Sequence, residues 1–178
     1  MEIEKTHISG LQLIHGDRFV DLRGNFHKVF TYDIYRNNGL DCNFKESYYS
    51  ISKKDVLRGM HFQVPPAEHN KLVLVNQGSI MDVVLDLRKN SEAYGSYFKI
   101  LLSGDDSTMV YIPSGCAHGF LSLENNTIVT YNQTSVYNPN YDLGIRYDSF
   151  GLDWGCKKII SSERDNNFPP LSEYLTPF

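Results

Sequence analysis

Short apolar segments separated by turn residues recur along the whole chain, and helical periodicity is scarce. Segments of about four to eight residues that are rich in β-branched and aromatic side chains predict strands. By this criterion strands are predicted at residues 11–14, 24–31, 47–51, 71–75, 80–87, 97–102, 108–112, 119–123 and 127–133. Many short strands at close spacing favour a β-sandwich or a β-barrel.

Two turn-rich segments between predicted strands indicate hairpins. They are Asn-Gln-Gly-Ser at residues 76–79 and Glu-Asn-Asn at residues 124–126. We therefore expect the strands on either side of each turn to be hydrogen-bonded neighbours. Short helices are expected near residues 33–37 and in the C-terminal third of the chain.

The composition is that of an ordinary globular protein. The 178 residues are 41% hydrophobic and 21% charged, which fits one domain spanning residues 1–178. A chain of this length buries roughly 70% of its unfolded surface and needs no disulfide or metal to fold. Aromatic residues make up 13% of the chain, and 12 Tyr and 10 Phe again favour β structure.

Charge and cysteine spacing exclude several classes of protein. The formal net charge of −4 argues against nucleic-acid binding, which requires a basic surface. Cys42, Cys116 and Cys156 are too widely spaced to predict a disulfide framework or a zinc ribbon, so a reducing cytoplasm is expected. No apolar run approaches the ~20 residues of a membrane span. Residues 1–10 lack the apolar core of a secretory signal, so we expect no membrane partner.

Four clusters of polar and aromatic residues interrupt the strand pattern. The densest combines one arginine, two histidines and one lysine within fourteen residues: Arg58, His61, His69 and Lys71. This is more charge than a core accepts without a purpose. Side chains two apart in a strand share a face, so we expect His61 and Gln63 on the same side. The other clusters contain His118, then Tyr131 with Tyr137, then residues 161–165.

The residues alone leave three interpretations open. His61, His69 and His118 could bind a divalent metal in a cupin-type barrel, although Gln63 stands where an H-x-H pair would have its second histidine. Alternatively, an imidazole and a phenol could act as base and acid on two sides of a substrate carbon. Thirdly, these side chains could be hydrogen-bonded core residues without a chemical role.

Taken in order, the clusters resemble the dTDP-4-dehydrorhamnose 3,5-epimerase family of nucleotide-sugar epimerases. The resemblance covers residues 10–171 and is most specific in Val56-Leu57-Arg58-Gly59-Met60-His61-Phe62-Gln63 and in Ala117-His118-Gly119-Phe120. Further matching segments are residues 21–24, 65–66, 71–73, 78–83, 86–88, 91–95, 112–113, Tyr131, Tyr137, 151–154 and 162–165.

The resemblance implies an all-β, double-stranded β-helix fold (a cupin-like jelly-roll) with a few short helices, assembled as a homodimer. It implies an isomerase that uses neither a metal nor an organic cofactor. The expected substrate is a nucleoside-diphosphate 4-keto-6-deoxysugar, carried on dTDP, GDP or another nucleotide. The expected reaction is epimerisation at C3, C5 or both, in the cytoplasm, during deoxysugar synthesis for cell-surface polysaccharide such as lipopolysaccharide or O-antigen.

The resemblance also implies roles for individual residues. His61 matches the base, Asp165 the carboxylate that orients it, and Tyr131 the acid on the opposite face. Lys71 matches the lysine near the ketone oxygen, where an enolate forms. The expected substrate-binding residues are Arg23 and Arg58 at the diphosphate, His118 and Tyr137 at the sugar, and Phe26, Lys28, Glu46 and Tyr48 on the nucleotide side.

Several nucleotide-side positions depart from the family pattern. Lys28 stands where a Glu is common, and Glu46 and Tyr48 lie in the segment where Gln and Asn are common. His69 replaces a Gln, and Leu74 replaces an Arg. These changes suggest a different nucleotide or sugar around preserved chemistry.

The alternatives to an epimerase are a sugar-nucleotide 3,4-ketoisomerase, a catalytically silent sugar-nucleotide binding module, and a metal-dependent cupin oxygenase.

Overall fold

Thirteen β-strands and two short helices make up the regular structure of residues 1–178 in this computed structural model. The first strands are β1 (Glu2–Lys5), β2 (Gln12–His15), β3 (Asp17–Asp21), β4 (Gly24–Lys28) and β5 (Glu46–Ser52). They are followed by β6 (Leu57–Gln63), β7 (Lys71–Gln77), β8 (Ser79–Asp86), β9 (Tyr97–Ser103), β10 (Thr108–Ile112), β11 (Cys116–Ser122), β12 (Thr127–Gln133) and β13 (Asp142–Gly144). The helices are α1 (Tyr32–Asn37) and α2 (Glu163–Asn166), and a 3₁₀ turn spans Leu171–Glu173.

The strands form two antiparallel sheets and a separate hairpin. The six-stranded sheet has the order β1-β2-β10-β7-β12-β5, and the five-stranded sheet has the order β13-β6-β11-β8-β9. From β6 to β12 the chain crosses repeatedly between the sheets, which is the connectivity of a jelly-roll. The prediction of an all-β jelly-roll with short helices is confirmed, and α1 lies where a helix was expected.

Both predicted hairpins are wrong. β7 and β8 belong to different sheets and do not pair, and the same holds for β11 and β12. Gly78, with a φ of 75°, does reverse the chain between β7 and β8. Turn residues specify that the chain reverses but not which strand it then joins, and each of these turns carries the chain to the opposite sheet.

Four strands were not among those predicted. β1 is charged and β3 is largely exposed, so neither is an apolar segment of the kind from which strands were predicted. β6 carries the polar cluster around His61, and β13 has only three residues. β1 and β13 lie at sheet edges and β3 lies in the hairpin, whereas β6 combines buried apolar residues with polar residues that line the cavity.

The apolar residues form three layers. Fifteen buried residues, including Val73, Val84 and Phe120, fill the space between the two sheets. The outer face of the five-stranded sheet is covered by the C-terminal part of the chain, with Trp154 among its buried residues. The outer face of the six-stranded sheet is covered around Tyr35 of α1. None of the helices has the length and apolar character needed to cross a membrane.

The hairpin of β3 and β4 stands apart from these layers. Its strands pair with each other and with no other strand. Its large apolar side chains, which a folded monomer ordinarily buries, are exposed: Phe19, Val20, Leu22 and Phe26. The side chain of Arg23 at the turn is 91% exposed. The hairpin therefore presents an uncovered surface that combines aromatic residues with a cation.

Two adjacent leucines of β9 test the assignment of its inner and outer faces. Leu102 is 1% exposed and belongs to the layer between the sheets, whereas Leu101 is 68% exposed. We expect Leu102→Ala to lower the free energy of unfolding by about 3 kcal/mol, because it removes packed methyl groups and leaves a cavity. Leu101→Ala should change it by less than about 0.5 kcal/mol. Urea denaturation of both variants measures the difference, and equal losses would contradict the orientation of β9.

Candidate active site

A cavity of about 390 Å³ opens between the two sheets. This volume is in the range that holds a small organic ligand. Strands of the five-stranded sheet form one wall, and β5, β7 and β12 of the six-stranded sheet form the other. Eight of the residues singled out from the sequence line it: Glu46, Tyr48, Arg58, His61, Lys71, His118, Tyr131 and Tyr137.

His61 on β6 is hydrogen-bonded to the buried carboxylate of Asp165. The distance from His61 Nε2 to Asp165 Oδ1 is 2.8 Å, and the other oxygen accepts the Gly59 N–H at 3.1 Å. Burial alone would raise the pKa of Asp165, but the hydrogen bond and charge of His61, with the Gly59 N–H and Ser162, hold it below its ordinary value. An ionised carboxylate only accepts, so Nε2 is the donor and the lone pair of a neutral ring lies on Nδ1.

Asp165 is held in place by its own local structure. The side chain of Ser162 caps α2 by accepting the backbone N–H of Asp165 at 3.0 Å. Ser162 was part of the sequence cluster at residues 161–165, and the cap explains why a serine precedes the carboxylate by three residues. The helix is one turn long, and it brings Asp165 to a strand more than one hundred residues earlier in the chain.

A second histidine–carboxylate pair lies beside the first. His118 on β11 is the direct cross-strand neighbour of His61, and its Nε2 is 2.7 Å from Asp82 Oδ2. Both residues are almost fully buried. The second oxygen of Asp82 is buried without a hydrogen-bond partner, which leaves an acceptor inside the fold. Two imidazole rings, each fixed by a carboxylate, therefore lie side by side on the same sheet.

Lys71 faces the histidines from the opposite sheet. Burial lowers the pKa of this lysine to about 8, while the nearby carboxylates of Asp142 and Asp82 oppose the shift. His69, two residues earlier, has its pKa lowered to about 3 by burial and by Lys71, so its ring is neutral at physiological pH. The cavity thus contains a lysine that loses its proton more easily than an exposed lysine does.

Tyr131 on β12 lies in the same sheet as Lys71 and stacks on Tyr48 of β5. The ring centroids are 4.9 Å apart and the planes are 20° from parallel. The Tyr131 hydroxyl is 3.1 Å from Ser50 Oγ, and its ring approaches that of His118 at 6.2 Å. Burial raises the pKa of Tyr131 well above its ordinary value, so the phenol keeps its proton at any physiological pH.

Side chains at the rim of the cavity are joined by a series of hydrogen bonds. The Tyr48 hydroxyl donates to Gln133 Oε1, and Gln133 Nε2 donates to Glu46 Oε2 at 3.1 Å. The same carboxylate oxygen accepts the backbone N–H of Tyr137 at 2.5 Å. Arg58 donates to Ser52 and to a backbone carbonyl, which leaves the rest of its guanidinium free.

Three residues assigned to substrate binding lie away from this cavity. Arg23, Phe26 and Lys28 belong to the exposed hairpin of β3 and β4, and none of them lines the cavity of their own chain. Arg23 is paired with Asp21 at its own turn. The sequence pattern assigned these positions to substrate binding but could not show that β3 and β4 form a hairpin separate from the two sheets.

Other cavity residues were not chosen from the sequence as substrate contacts: Ser50, Gln63, His69, Gln133 and Asp142. Period-two alternation would have found Ser50 and Gln133, which are two residues from Tyr48 and Tyr131 on the same strands. Gln63 was expected on the face of His61, and both residues do line the cavity. Asp142 carries no such signal, because β13 is too short to show a pattern.

The three histidines considered as metal ligands do not form a metal site. No group of three or more His, Cys, Asp or Glu side chains lies close enough to hold an ion. His61 and His118 each use Nε2 to contact a carboxylate, and His69 Nδ1 is 3.3 Å from the Gln63 amide. The imidazoles therefore face different partners and do not converge on one point.

Comparison with known proteins identifies a family. The sequence profile described as dTDP-4-dehydrorhamnose 3,5-epimerase matches residues 5–173. The dTDP-4-dehydrorhamnose 3,5-epimerase of Methanothermobacter thermautotrophicus is 41% identical over 174 residues, which cover 95% of this chain and 94% of the relative.

Solved structures give the same result. The dTDP-4-dehydrorhamnose 3,5-epimerase of Sulfolobus tokodaii has a TM-score of 0.90 and 36% identity, covering 97% of this chain and 96% of that one. The dTDP-6-deoxy-D-glucose-3,5-epimerase of Legionella pneumophila, solved in complex with dTDP-4-keto-L-rhamnose, has a TM-score of 0.92 and 31% identity, with coverages of 97% and 93%.

The hydrogen bond between His61 and Asp165 predicts a pH-dependent contribution of the carboxylate to stability. The pKa of folded Asp165 is lowered, so its contribution is complete above the unfolded value near ~3.9 and is lost as pH falls through the folded value. Asp165→Asn should lower the free energy of unfolding at pH 7 by about 2 kcal/mol, since it places an amide NH₂ against donors. The difference in the free energy of unfolding between Asp165→Asn and wild type should become smaller as the pH is lowered.

The control for this comparison is Asp105→Asn, because Asp105 is exposed and its carboxylate makes no hydrogen bond. Urea denaturation at pH 7 and at acidic pH measures both variants. A loss for Asp165→Asn that stays constant with pH would show that the carboxylate is not ionised in the folded protein.

Proposed function

Because the chain belongs to the dTDP-4-dehydrorhamnose 3,5-epimerase family of isomerases, we propose that it inverts C3, C5 or both in a nucleoside-diphosphate 4-keto-6-deoxysugar. One observation carries the proposal: an imidazole with a free nitrogen and a protonated phenol face one cavity from opposite sheets. Inversion at carbon requires a base on one face and an acid on the other. The hydrogens on C3 and C5 are both α to the C4 ketone, which makes them removable as protons.

His61 is the base in this mechanism. Its Nε2–H is committed to the Asp165 carboxylate, so Nδ1 takes the proton from carbon. Proton transfer creates an imidazolium, which the adjacent carboxylate stabilises without itself accepting the proton. The same hydrogen bond fixes the tautomer before the substrate arrives, so no proton needs to be rearranged at the start of the reaction.

Lys71 stabilises the charge that develops on the ketone oxygen. Removing an α-proton turns the C4 carbonyl into an enolate, and a pre-positioned cation lowers the energy of that state. With a pKa of about 8, most Lys71 side chains are protonated at neutral pH. Burial removes competing water, which strengthens the interaction with the enolate oxygen. His118, held by Asp82, is the neighbouring contact to the sugar.

Tyr131 delivers the new proton to the opposite face of the carbon. Its raised pKa keeps it protonated until the carbanion-like intermediate, a much stronger base, is present. Stacking on Tyr48 and the contact with Ser50 fix the position of its hydroxyl oxygen. Before the next inversion, the His61 imidazolium releases its proton to water and the phenolate regains a proton from water.

The nucleotide sugar is bound along the rim of the cavity. The Legionella relative was solved with a dTDP-linked 4-keto sugar, which supports the same class of ligand here. The free part of the Arg58 guanidinium suits diphosphate oxygens. Glu46, Tyr48 and Tyr137 then meet the sugar and the nucleotide, and the first two are among the positions at which this sequence departs from its family.

The functional unit in this proposal is a homodimer. The exposed aromatic residues of the β3–β4 hairpin need a cover, and Arg23 and Phe26 cannot serve the cavity of their own chain from where they lie. A two-fold dimer in which each hairpin reaches the partner's cavity satisfies both requirements. Arg23 would then meet the diphosphate beside Arg58, Phe26 would pack on the nucleobase, and Lys28 would add a further cation.

The reaction belongs in the cytoplasm under this proposal, as a step in making deoxysugars for lipopolysaccharide, O-antigen or another surface polysaccharide. All three cysteines are free thiols, which fits a reducing compartment. Their sulfur atoms take no part in the proposed chemistry.

Solvent deuterium exchange tests the proposed reaction. Candidate 4-keto sugars are incubated with the protein in heavy water, and label at C3 and C5 is read by NMR. Wild type should introduce label, and His61→Asn should reduce the rate at least about 10³-fold, because the base is gone. Tyr131→Phe should retain initial exchange but reduce net inversion at least about 10²-fold, since abstraction does not require the phenol.

Each outcome assigns a function. Label at both carbons indicates a double epimerase, and label at C3 alone indicates a monofunctional one. A 3-keto product would show a ketoisomerase instead, and binding without exchange for any substrate would show a catalytically silent module. Normal inversion by Tyr131→Phe would contradict the acid assignment.

A comparison of substrates that differ only in their nucleotide shows which nucleotide the protein prefers. dTDP, GDP, UDP and CDP forms are compared for turnover and for thermal stabilisation of the protein. Glu46 and Tyr48 at the rim favour a substrate other than the common dTDP-linked rhamnose precursor. Clear preference for dTDP with full turnover of that precursor would contradict the altered specificity and leave the reaction class intact.

Mixing two impaired variants tests the shared site. Arg23→Ala should raise KM about tenfold or more by removing a charged contact to the diphosphate. A heterodimer of Arg23→Ala and His61→Asn contains one intact cavity. Its His61 comes from the Arg23→Ala chain, and its Arg23 comes from the His61→Asn chain. A random equimolar mixture measured at subsaturating substrate should therefore reach about a quarter of wild-type turnover. Activity equal to the mean of the two separate variants would show that each cavity uses its own chain alone.

A further inference from the structure

The ring of Phe168 lies against the imidazole of His61. The two centroids are 5.7 Å apart and the planes meet at 76°, an edge-to-face arrangement. Phe168 is half-buried and does not line the cavity, so it meets the site through the histidine. It follows Asp165 by three residues, and the same short segment therefore supplies both the hydrogen bond and the aromatic contact to His61.

Gly144 provides the space that this ring occupies. Strand β13 pairs with β6 so that Gly144 lies directly opposite His61. A Cβ atom on Gly144 would overlap three ring atoms of Phe168. The φ of Gly144 is not positive, so the close approach of Phe168, and not the backbone conformation, requires a glycine here.

Arg164 fixes the phenylalanine from another side. Its guanidinium carbon lies 5.1 Å from the centroid of the Phe168 ring, within the range of a cation–π contact. Arg164 Nη2 also donates to Asp142 Oδ2 at 2.7 Å and to the Asp142 carbonyl at 3.1 Å. Phe168 is thus held between a glycine of β13 and an arginine anchored to the same strand.

We propose that Phe168 is a positioning residue for the base. One hydrogen bond at Nε2 fixes that end of the imidazole but still allows the ring to swing about the bond to Asp165. The side chain of His61 is 30% exposed, so packing on the cavity side does not prevent this motion. The Phe168 ring blocks the swing and keeps Nδ1 directed at the substrate carbon. The inference rests on the proposed role of His61.

Removing the ring should reduce turnover without weakening substrate binding. Phe168→Ala should lower kcat and the exchange rate about tenfold or more, because small displacements of a reacting group are costly. KM should stay within about twofold, since Phe168 does not line the cavity. Phe168→Leu, which restores part of the packing volume, should recover part of the loss. The matched control is Phe150→Ala, which removes a ring from a similar edge-to-face pair with Tyr97.

A double-mutant cycle shows whether Gly144 acts through the same ring. Gly144→Ala should lower kcat as Phe168→Ala does, because its methyl group displaces the phenylalanine. In the Phe168→Ala background the same methyl group has no ring to displace, so it should change kcat less than about twofold. If Phe168→Ala folds poorly, Phe168→Leu keeps the inference testable.

The outcomes separate this inference from the proposed function. If His61→Asn is inactive and Phe168→Ala and Phe168→Leu keep wild-type kcat, the positioning role is wrong and the base assignment stands. If Phe150→Ala lowers kcat as much as Phe168→Ala, the effect is general destabilisation and the inference is also wrong. If His61→Asn keeps wild-type exchange, the proposed mechanism itself fails.

Discussion

The apolar packing between the two stacked sheets sets the geometry on which the candidate site depends. Sheets in a sandwich lie about 10 Å apart, and fifteen buried residues fill that space here. Tyr131 belongs to this packed layer, so the proposed acid is held by the same contacts that hold the sheets together. Where the inward-facing residues change from apolar to polar, the layer opens into the cavity. The site is therefore the polar end of the core and not an addition to its surface.

The sequence was informative wherever burial or local chemistry leaves a pattern. Short segments rich in β-branched and aromatic residues located β5, β7 and β12, and the motifs around His61 and His118 identified one wall of the cavity. Long-range relations left no such trace. Nothing near residues 76–79 says that the next strand joins the other sheet, and nothing near Phe168 says that its ring meets a histidine more than one hundred residues away. Both depend on how separate segments pack, which local patterns do not encode.

The hairpin of β3 and β4 illustrates a different limit. Its residues were expected near the ligand, and its aromatic surface is exposed on the single chain. If the hairpin of a second copy completes each cavity, then one chain carries all the residues of the site but only a dimer assembles them. Specificity would then depend on two surfaces, the rim around Glu46 and Tyr48 and the incoming hairpin, which can change independently. Departures from the family pattern occur on both.

The separation of His61 from Asp165 along the chain has a consequence for biosynthesis. Ribosomes deliver the sandwich strands first, and the segment that carries Asp165 and Phe168 emerges only after all thirteen strands. A nascent chain can therefore fold most of its sheets while His61, the proposed base, remains without the carboxylate that orients it. Formation of the His61–Asp165 pair waits until the C-terminal segment has been synthesised.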